Sequence, residues 1–289
     1  LFLIFSSIFL TTCKKPIFET NSTTVPGAPT GVSATAGNAQ ATVTFAAPVS
    51  KGGSPITAYT VTSSPGGFTA TGSASPITVT GLTNGTAYTF TVTATNAKGT
   101  GLPSSASNSV TPSTVPGAPT GVSATAGNGQ ATVTFTAPVS NGGSAITGYI
   151  VTSSPDGITA TGSASPVTVT GLINGTAYTF TVTATNANGT SPASAASNSV
   201  TPSSVPGAPT IGTATAGNGQ ATITFTAPVS NGGSAITGYT VTSSPGGITA
   251  TGSASPITVT GLTNGMVYTF TVTATNANGT GPASSASNS

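Results

Sequence analysis

Side chains that could act as acids, bases, nucleophiles or metal ligands are scarce in this sequence. It contains no His, and its two acidic side chains are Glu19 and Asp156. General acid–base catalysis needs His or paired carboxyl groups, and a nucleophile needs a base beside it. Metal sites need clustered carboxylates, thiolates or imidazoles. The sequence therefore predicts a protein that is not an enzyme and has no catalytic, cofactor-binding or metal-binding residues.

Positive charge is equally sparse. The formal net charge is +2, and charged residues make up 2% of the sequence against about a quarter in average soluble domains. Nucleic-acid binding needs a basic surface, which four Lys side chains do not supply. The sequence thus excludes a nucleic-acid partner, and it indicates a polar surface built from hydroxyl and amide groups.

The only Cys in the sequence, Cys13, ends an apolar segment. Residues 1–13 are far shorter than the ~20 apolar residues of a transmembrane helix, and their length is typical of the apolar region of a signal peptide. A lone Cys excludes an intramolecular disulfide. The alternatives for this segment are an ordinary cleaved signal with an incidental Cys, or a short uncleaved anchor.

The residues before Cys13 indicate a chemistry for its thiol. Residues 10–13, Leu-Thr-Thr-Cys, resemble the lipobox of bacterial lipoproteins, although Thr12 stands where that family usually has Gly, Ala or Ser. The resemblance implies lipidation of Cys13, a membrane partner through the lipid anchor, and a location at a bacterial cell envelope or extracellular surface. Residues 14–24 are polar and aperiodic, so we interpret them as a tether.

The elements of the remaining sequence are short strands, and one of them recurs almost unchanged. From Tyr88 onward, apolar residues such as Phe90 and Val92 alternate with Thr. This period of two predicts a half-buried strand. The stretch 81–96, which contains this strand, returns at 171–186 and 261–276.

Whole domains are repeated along the sequence. A Val-Pro-Gly-Ala-Pro-Thr hexapeptide begins at Val25, Val115 and Val205. The resulting period of 90 residues is longer than the roughly 20–50 residues of solenoid repeats. We therefore predict three tandem domains, at residues 25–113, 115–203 and 205–289.

Each copy contains a similar series of strand and turn signals. In the first copy, strands are predicted at 31–36, 40–45, 56–62, 68–71, 77–82, 88–96 and 104–110. About seven short strands separated by Gly, Pro and Asn turns are typical of an antiparallel β-sandwich. The third copy ends at Ser289, before the Val that follows Ser109 and Ser199. Its last strand is therefore predicted to be truncated, which indicates a fragment of a longer product that could contain further repeats.

These repeats resemble fibronectin type III domains. The features of the first copy that carry the resemblance are the opening Pro26 and Pro29, Phe45 with Pro48 soon after it, Tyr59 with Val61, and the Leu82 and Tyr88 of a tyrosine corner. Phe45 stands where the family usually has Trp. The resemblance implies an all-β chain of tandem seven-stranded sandwiches with an immunoglobulin-like fold.

One set of aromatic residues recurs at equivalent apolar positions in every copy, so we predict that it forms the core. These residues are Phe45, Tyr59, Tyr88, Phe90, Phe135, Tyr149, Tyr178, Phe180, Phe225, Tyr239, Tyr268 and Phe270. Phe68 is replaced by Ile in the other copies and is also interpreted as packing. No ring is left to form a sugar-stacking platform.

The predicted function is a non-enzymatic, surface-anchored extracellular spacer, stalk or adhesion scaffold, monomeric and rod-like. Short linkers that carry or adjoin Pro112 and Pro116 limit bending between domains. The alternative is a ligand-binding adhesin, or a carbohydrate-binding accessory region of a larger secreted enzyme. In that case an exposed loop or sheet edge contacts a glycan or protein that the sequence does not identify.

Overall fold

The computed structural model describes residues 23–289, and these are all-β. The predicted signal segment 1–13 with Cys13, and most of the tether, lie outside the described residues. No helix in the described part has the length and apolar character needed to cross a bilayer. The chain divides into two compact units, one ending at Ser113 and one spanning Thr114–Ser289. The first unit holds one repeat, and the second holds two.

Every repeat has its strands in the same order. The first contains β1 (Thr30–Gly37), β2 (Gln40–Ala46), β3 (Ile56–Ser64), β4 (Thr69–Gly72), β5 (Ile77–Thr80), β6 (Thr89–Asn96) and β7 (Gly99–Thr100). The second contains β8 (Thr120–Ala126), β9 (Gln130–Thr136), β10 (Ile146–Ser154), β11 (Thr159–Gly162), β12 (Val167–Thr170), β13 (Thr179–Asn186) and β14 (Gly189–Thr190). The third contains β15 (Thr210–Gly217), β16 (Gln220–Thr226), β17 (Ile236–Ser244), β18 (Thr249–Gly252), β19 (Ile257–Thr260), β20 (Thr269–Asn276) and β21 (Gly279–Thr280).

These strands form two sheets in each repeat. In the first repeat the orders are β1-β2-β5 and β4-β3-β6-β7, and the other repeats have the same arrangement. All strand pairs are antiparallel. The two sheets face each other as a sandwich, so the fold class predicted from the sequence is confirmed.

The alternation along the sixth strand determines which sheet face is buried. Phe90, Val92 and Ala94 on β6 are fully buried, whereas the Thr residues between them are half-buried. On the neighbouring β3, Tyr59 lies opposite Ala94 and Val61 lies opposite Val92. These side chains belong to the buried core cluster of the first repeat. Their removal from water stabilises the fold by about 25 cal/mol per Å² of apolar surface.

The strand predicted at 104–110 is wrong, because no regular ladder forms there. β7 ends at Thr100, and the following chain bonds to β6 at every third residue. The amides of Ser104 and Ser107 each donate to a β6 carbonyl at 2.9 Å, and their hydroxyls accept from β6 amides at 3.0 Å. A three-residue period is that of a polyproline II segment. The hydroxyls of Ser104 and Ser107 accept the hydrogen bonds of the Val92 and Phe90 amides, which in a regular ladder would go to backbone carbonyls.

Candidate functional site

The Lys and Asp side chains of the described residues do not converge on one site. Lys51 and Lys98 are exposed in loops of the first repeat, whereas Asp156 lies in a turn of the second. Residues 23–289 contain no cluster of His, Cys, Asp or Glu that could hold a metal ion. Both Lys residues contribute backbone groups to the buried Asn96, whose side chain bonds the Lys51 carbonyl at 2.9 Å and the Lys98 amide at 2.8 Å. These two positions therefore serve to anchor loops.

Asp156 has a structural partner that the sequence did not indicate. It adopts φ = 73° in the turn after β10. Its Oδ2 accepts a hydrogen bond from the Oη of Tyr178 at 2.9 Å. The residues are 22 positions apart, and no spacing rule links them. Asp156 is thus a turn residue whose carboxylate also accepts the hydrogen bond of the buried Tyr178 hydroxyl. The third repeat has Gly246 at the equivalent position.

In each repeat the tyrosine directly before the sixth strand forms a tyrosine corner. The Oη of Tyr178 accepts from the backbone amide of Ile173 at 3.2 Å. In the first repeat the Thr83 amide donates to Tyr88 Oη at 3.1 Å, and the third repeat has the same bond to Tyr268 at 3.2 Å. These hydroxyls fix the loop before the sixth strand.

Every aromatic ring in residues 23–289 packs against the core of its own repeat. The buried members of the predicted set are Tyr59, Tyr88, Phe90, Phe135, Tyr149, Tyr178, Phe180, Phe225, Tyr239 and Phe270, and the partly buried members are Phe45 and Tyr268. The centroids of the Phe45 and Tyr59 rings are 4.9 Å apart, and this pair recurs in the other repeats at 4.8 Å. The described residues thus offer no fully exposed ring on which a sugar could stack.

The outer face of each four-stranded sheet is lined mainly by threonine, and in the second repeat Ile150 takes the place of one Thr. In the first repeat Thr60 lies opposite Thr71 on one side and Thr93 on the other. Shallow depressions of about 360 and 350 Å³ lie on this face beside Gly148 and Gly238. Methyl and hydroxyl groups alone supply neither a catalytic group nor a charged anchor, so this face is a neutral, solvated surface.

A groove of about 330 Å³ opens at one end of the third repeat. Its lining includes Leu262, Tyr268 and Ser289, and the loop residues Met266 and Val267. Met266 and Val267 are 54% and 70% exposed. In the first and second repeats the equivalent surface is covered by Val110 and Val200, which come directly after the residues that correspond to Ser289.

The linker between the second and third repeats is bound to both of them. The amide of Ser203 donates to the Gly127 carbonyl of the second repeat at 3.2 Å. The next residue, Ser204, donates its amide to the Gly232 carbonyl of the third repeat at 2.7 Å. Its carbonyl accepts from the side chain of Asn276 at 2.8 Å. Consecutive linker residues are thus attached to different repeats, with no free residue between them.

Comparison with known proteins identifies the repeats. A profile of the family described as "Fibronectin type III domain" matches residues 27–110, 117–200 and 206–289. Among solved structures, the chain is similar to the crystal structure of the FN1-FN3 domains of chicken CNTN1. The identity is 21%, the match covers 90% of this chain and 97% of that chain, and the TM-score is 0.37. No curated protein matches the chain.

Proposed function

Because this chain belongs to the fibronectin type III family, we propose that it is a non-catalytic extracellular spacer that holds flanking segments at a fixed separation. Fibronectin type III repeats are commonly extracellular spacer or adhesion modules, and they are typically non-catalytic. The described residues add no constellation of acids, bases or metal ligands to this scaffold. The junction between the second and third repeats carries the spacer role.

Direct contact between these two repeats supports a stiff junction. The side-chain amide of Asn174, in the second repeat, donates to Ser204 Oγ at 3.2 Å. In the third repeat, Gly233 has φ = 79° and packs so closely that a Cβ would collide with the backbone nitrogen of Gly175. Only glycine therefore allows this approach of backbone to backbone.

Distance measurements between spin labels test this proposal. The labels are attached through Thr159→Cys and Thr249→Cys, on exposed positions of the second and third repeats, in a Cys13→Ala background. We expect one narrow distance distribution because the linker has no free residue. A broad distribution in this parent protein would overturn the spacer proposal.

A matched pair of glycine variants identifies the contact responsible. Gly233→Asn introduces a Cβ at the junction, whereas Gly261→Asn introduces one at the same φ of 79° with nothing within 4 Å. Asn is among the residues that best tolerate positive φ. We expect a broadened distribution for Gly233→Asn and an unchanged one for Gly261→Asn.

We further propose that the spacer is attached to a bacterial membrane through a lipid on Cys13. The support is the lipobox-like sequence before Cys13, which lies outside the described residues. Labelled fatty acid should be incorporated into the whole protein and lost in Cys13→Ala. Recovery of the unlabelled wild-type protein entirely in the soluble fraction would refute the anchor.

A further inference from the structure

Two loops of the first repeat meet at the end of the sandwich where the described chain enters it. One follows β2 and contains Lys51, and the other joins β6 to β7 and contains Lys98. The buried side chain of Asn96 holds both loops. It donates to the carbonyls of Thr24 and Lys51 at 2.8 and 2.9 Å, and it accepts from the Lys98 amide at 2.8 Å. We call this surface, formed by residues 24–27, 49–53 and 96–102, the entry end.

The entry end is positively charged. The side chains of Lys51 and Lys98 are exposed, and residues 23–113 contain no Asp or Glu that could neutralise them. Because the backbones of both Lys residues are fixed by Asn96, their ammonium groups stay at the same end of the repeat. An anionic surface that approaches this end therefore meets two cationic side chains and no carboxylate.

Exposed apolar side chains lie beside these charges. Val49 is 99% exposed and belongs to the same loop as Lys51. Leu102 is 77% exposed and follows Gly101, which lies so close to the Pro26 carbonyl that a Cβ would collide with it. Both apolar side chains are therefore attached to the entry end, and both face solvent.

The exposed Val is common to all three repeats, whereas the two Lys residues and Leu102 belong to the first repeat alone. The other repeats have Asn in place of each Lys and Pro in place of Leu102, at Asn141, Asn188, Pro192, Asn231, Asn278 and Pro282. The third repeat uses this end for contact with the second, where Gly233 packs against Gly175. The differences in the first repeat thus suit its entry end to a partner other than another repeat.

We propose that the entry end of the first repeat docks on an anionic membrane surface. Each Lys near such a surface strengthens binding roughly 5-fold through electrostatic attraction. Apolar side chains beside the cations enter the boundary between headgroups and acyl chains, as those of amphipathic surfaces do. A soluble polyanion would pair with the Lys residues but leave Val49 and Leu102 in water, so their combination favours a membrane. The docking is separate from natural lipidation of Cys13, which its test does not require.

Paramagnetic relaxation on lipid nanodiscs tests this docking. In the whole protein the thiol of Cys13, the only Cys in the sequence, is coupled chemically to a maleimide-bearing lipid. The residues between Cys13 and Thr24 can span up to ~35 Å, so attachment alone does not place the first repeat on the bilayer. A nitroxide on the lipid headgroups accelerates the relaxation of amides near the membrane. The amide of Ala97, directly after β6, reports on the entry end, and that of Thr83, before the start of β6, reports on the opposite end.

In discs of phosphatidylcholine and phosphatidylglycerol, the Ala97 amide should relax much faster than the Thr83 amide. This difference should shrink in discs of phosphatidylcholine alone, and also at high salt, which screens the charges. The double variant Lys51→Asn, Lys98→Asn carries the residues of the second repeat. It should lower the ratio of docked to free protein on the anionic discs roughly 25-fold, because two contributions of roughly 5-fold multiply.

A pair of apolar variants separates the entry end from other exposed surfaces. Leu102→Ser should lower the docked fraction, whereas Ile173→Ser, at an exposed apolar position of the second repeat, should leave it unchanged. Equal relaxation of the Ala97 and Thr83 amides, the same difference on neutral discs, or no effect of the Lys substitutions would overturn the proposal. Loss of the difference when polyglutamate is added at a charge equal to that of the anionic lipid would instead assign the entry end to an acidic polypeptide and overturn it as well.

Discussion

At the scale of single residues, Tyr178 differs from its equivalents in having two hydrogen-bond partners. Its hydroxyl accepts from Ile173 and donates to Asp156, and its ring is fully buried. We expect Tyr178→Phe to cost about 1–2 kcal/mol, because it leaves the Ile173 amide without its acceptor. Hydrogen exchange of the β13 amides in the whole protein measures the loss.

Tyr268→Phe is the control for that change. Tyr268 accepts a backbone bond from Thr263 but is only partly buried, so water can replace the lost partner. Its substitution should accelerate exchange in β20 less than Tyr178→Phe accelerates exchange in β13. Equal acceleration would contradict the role assigned to burial and to Asp156.

Phe180 tests the core itself. Its side chain is 1% exposed, and its ring stacks with Tyr178 at 6.4 Å between centroids. Phe180→Ala should cost about 3–5 kcal/mol because it removes buried area and leaves a cavity. Denaturant titration of the wild type and the variant measures the loss. A loss no larger than that of Tyr178→Phe would show that the buried face of β13 is assigned wrongly.

Individual residues were predictable where a local pattern identifies them. The tyrosine-corner pattern of Leu82 and Tyr88 recurs at Leu172 and Tyr178, and the Tyr178 hydroxyl accepts from the nearby Ile173 amide. The bond to Asp156 was not predictable, because it joins two turns that only the folded sandwich brings together.

At the scale of elements, the segment after the seventh strand protects an exposed sheet edge. Ser194 and Ser197 accept from the amides of Val182 and Phe180 at 2.9 and 3.0 Å. Exposed edges usually carry charged residues that prevent association with other strands. Here a segment of period three covers the edge in a sequence that has almost no charge.

Ser194→Ala tests this arrangement. The substitution removes the acceptor of the buried Val182 amide, so we expect a loss of about 1–3 kcal/mol. Exchange of the Val182 amide should accelerate accordingly. Ser199→Ala, at an exposed position of the same segment, is the control and should leave that rate unchanged. Equal rates in both variants would show that the hydroxyl contributes nothing.

Alternation identified the ladder-forming strands and failed on this segment. The strand predicted at 40–45 is Gln40–Ala46, and the one predicted at 88–96 is Thr89–Asn96. The segment 104–110 does not alternate, and its buried Ser104 and Ser107 are three residues apart. The sequence signal of this segment is therefore a Ser at every third residue, whose hydroxyl can accept from a strand amide, and not an alternation of apolar and polar residues.

At the scale of the whole molecule, the similarity of the repeats carries a folding risk. The second and third repeats have nearly the same sequence, so strands of one fit the sandwich of the other. Neighbouring β domains that are this similar can exchange strands during folding. We expect a fragment of residues 115–289, refolded from denaturant, to show a long-lived misfolded fraction that is absent from residues 115–203. Identical yields and single-exponential kinetics in both fragments would refute this.

The central claim is that the second and third repeats move as one body, because Ser203 and Ser204 are bound to different repeats. Nuclear relaxation of backbone amides in the whole protein tests it most directly. The rotational correlation times obtained from β13 and from β20 should be equal, as expected for one compact unit spanning Thr114–Ser289. Two distinct correlation times, each near that of an isolated repeat, would contradict the account.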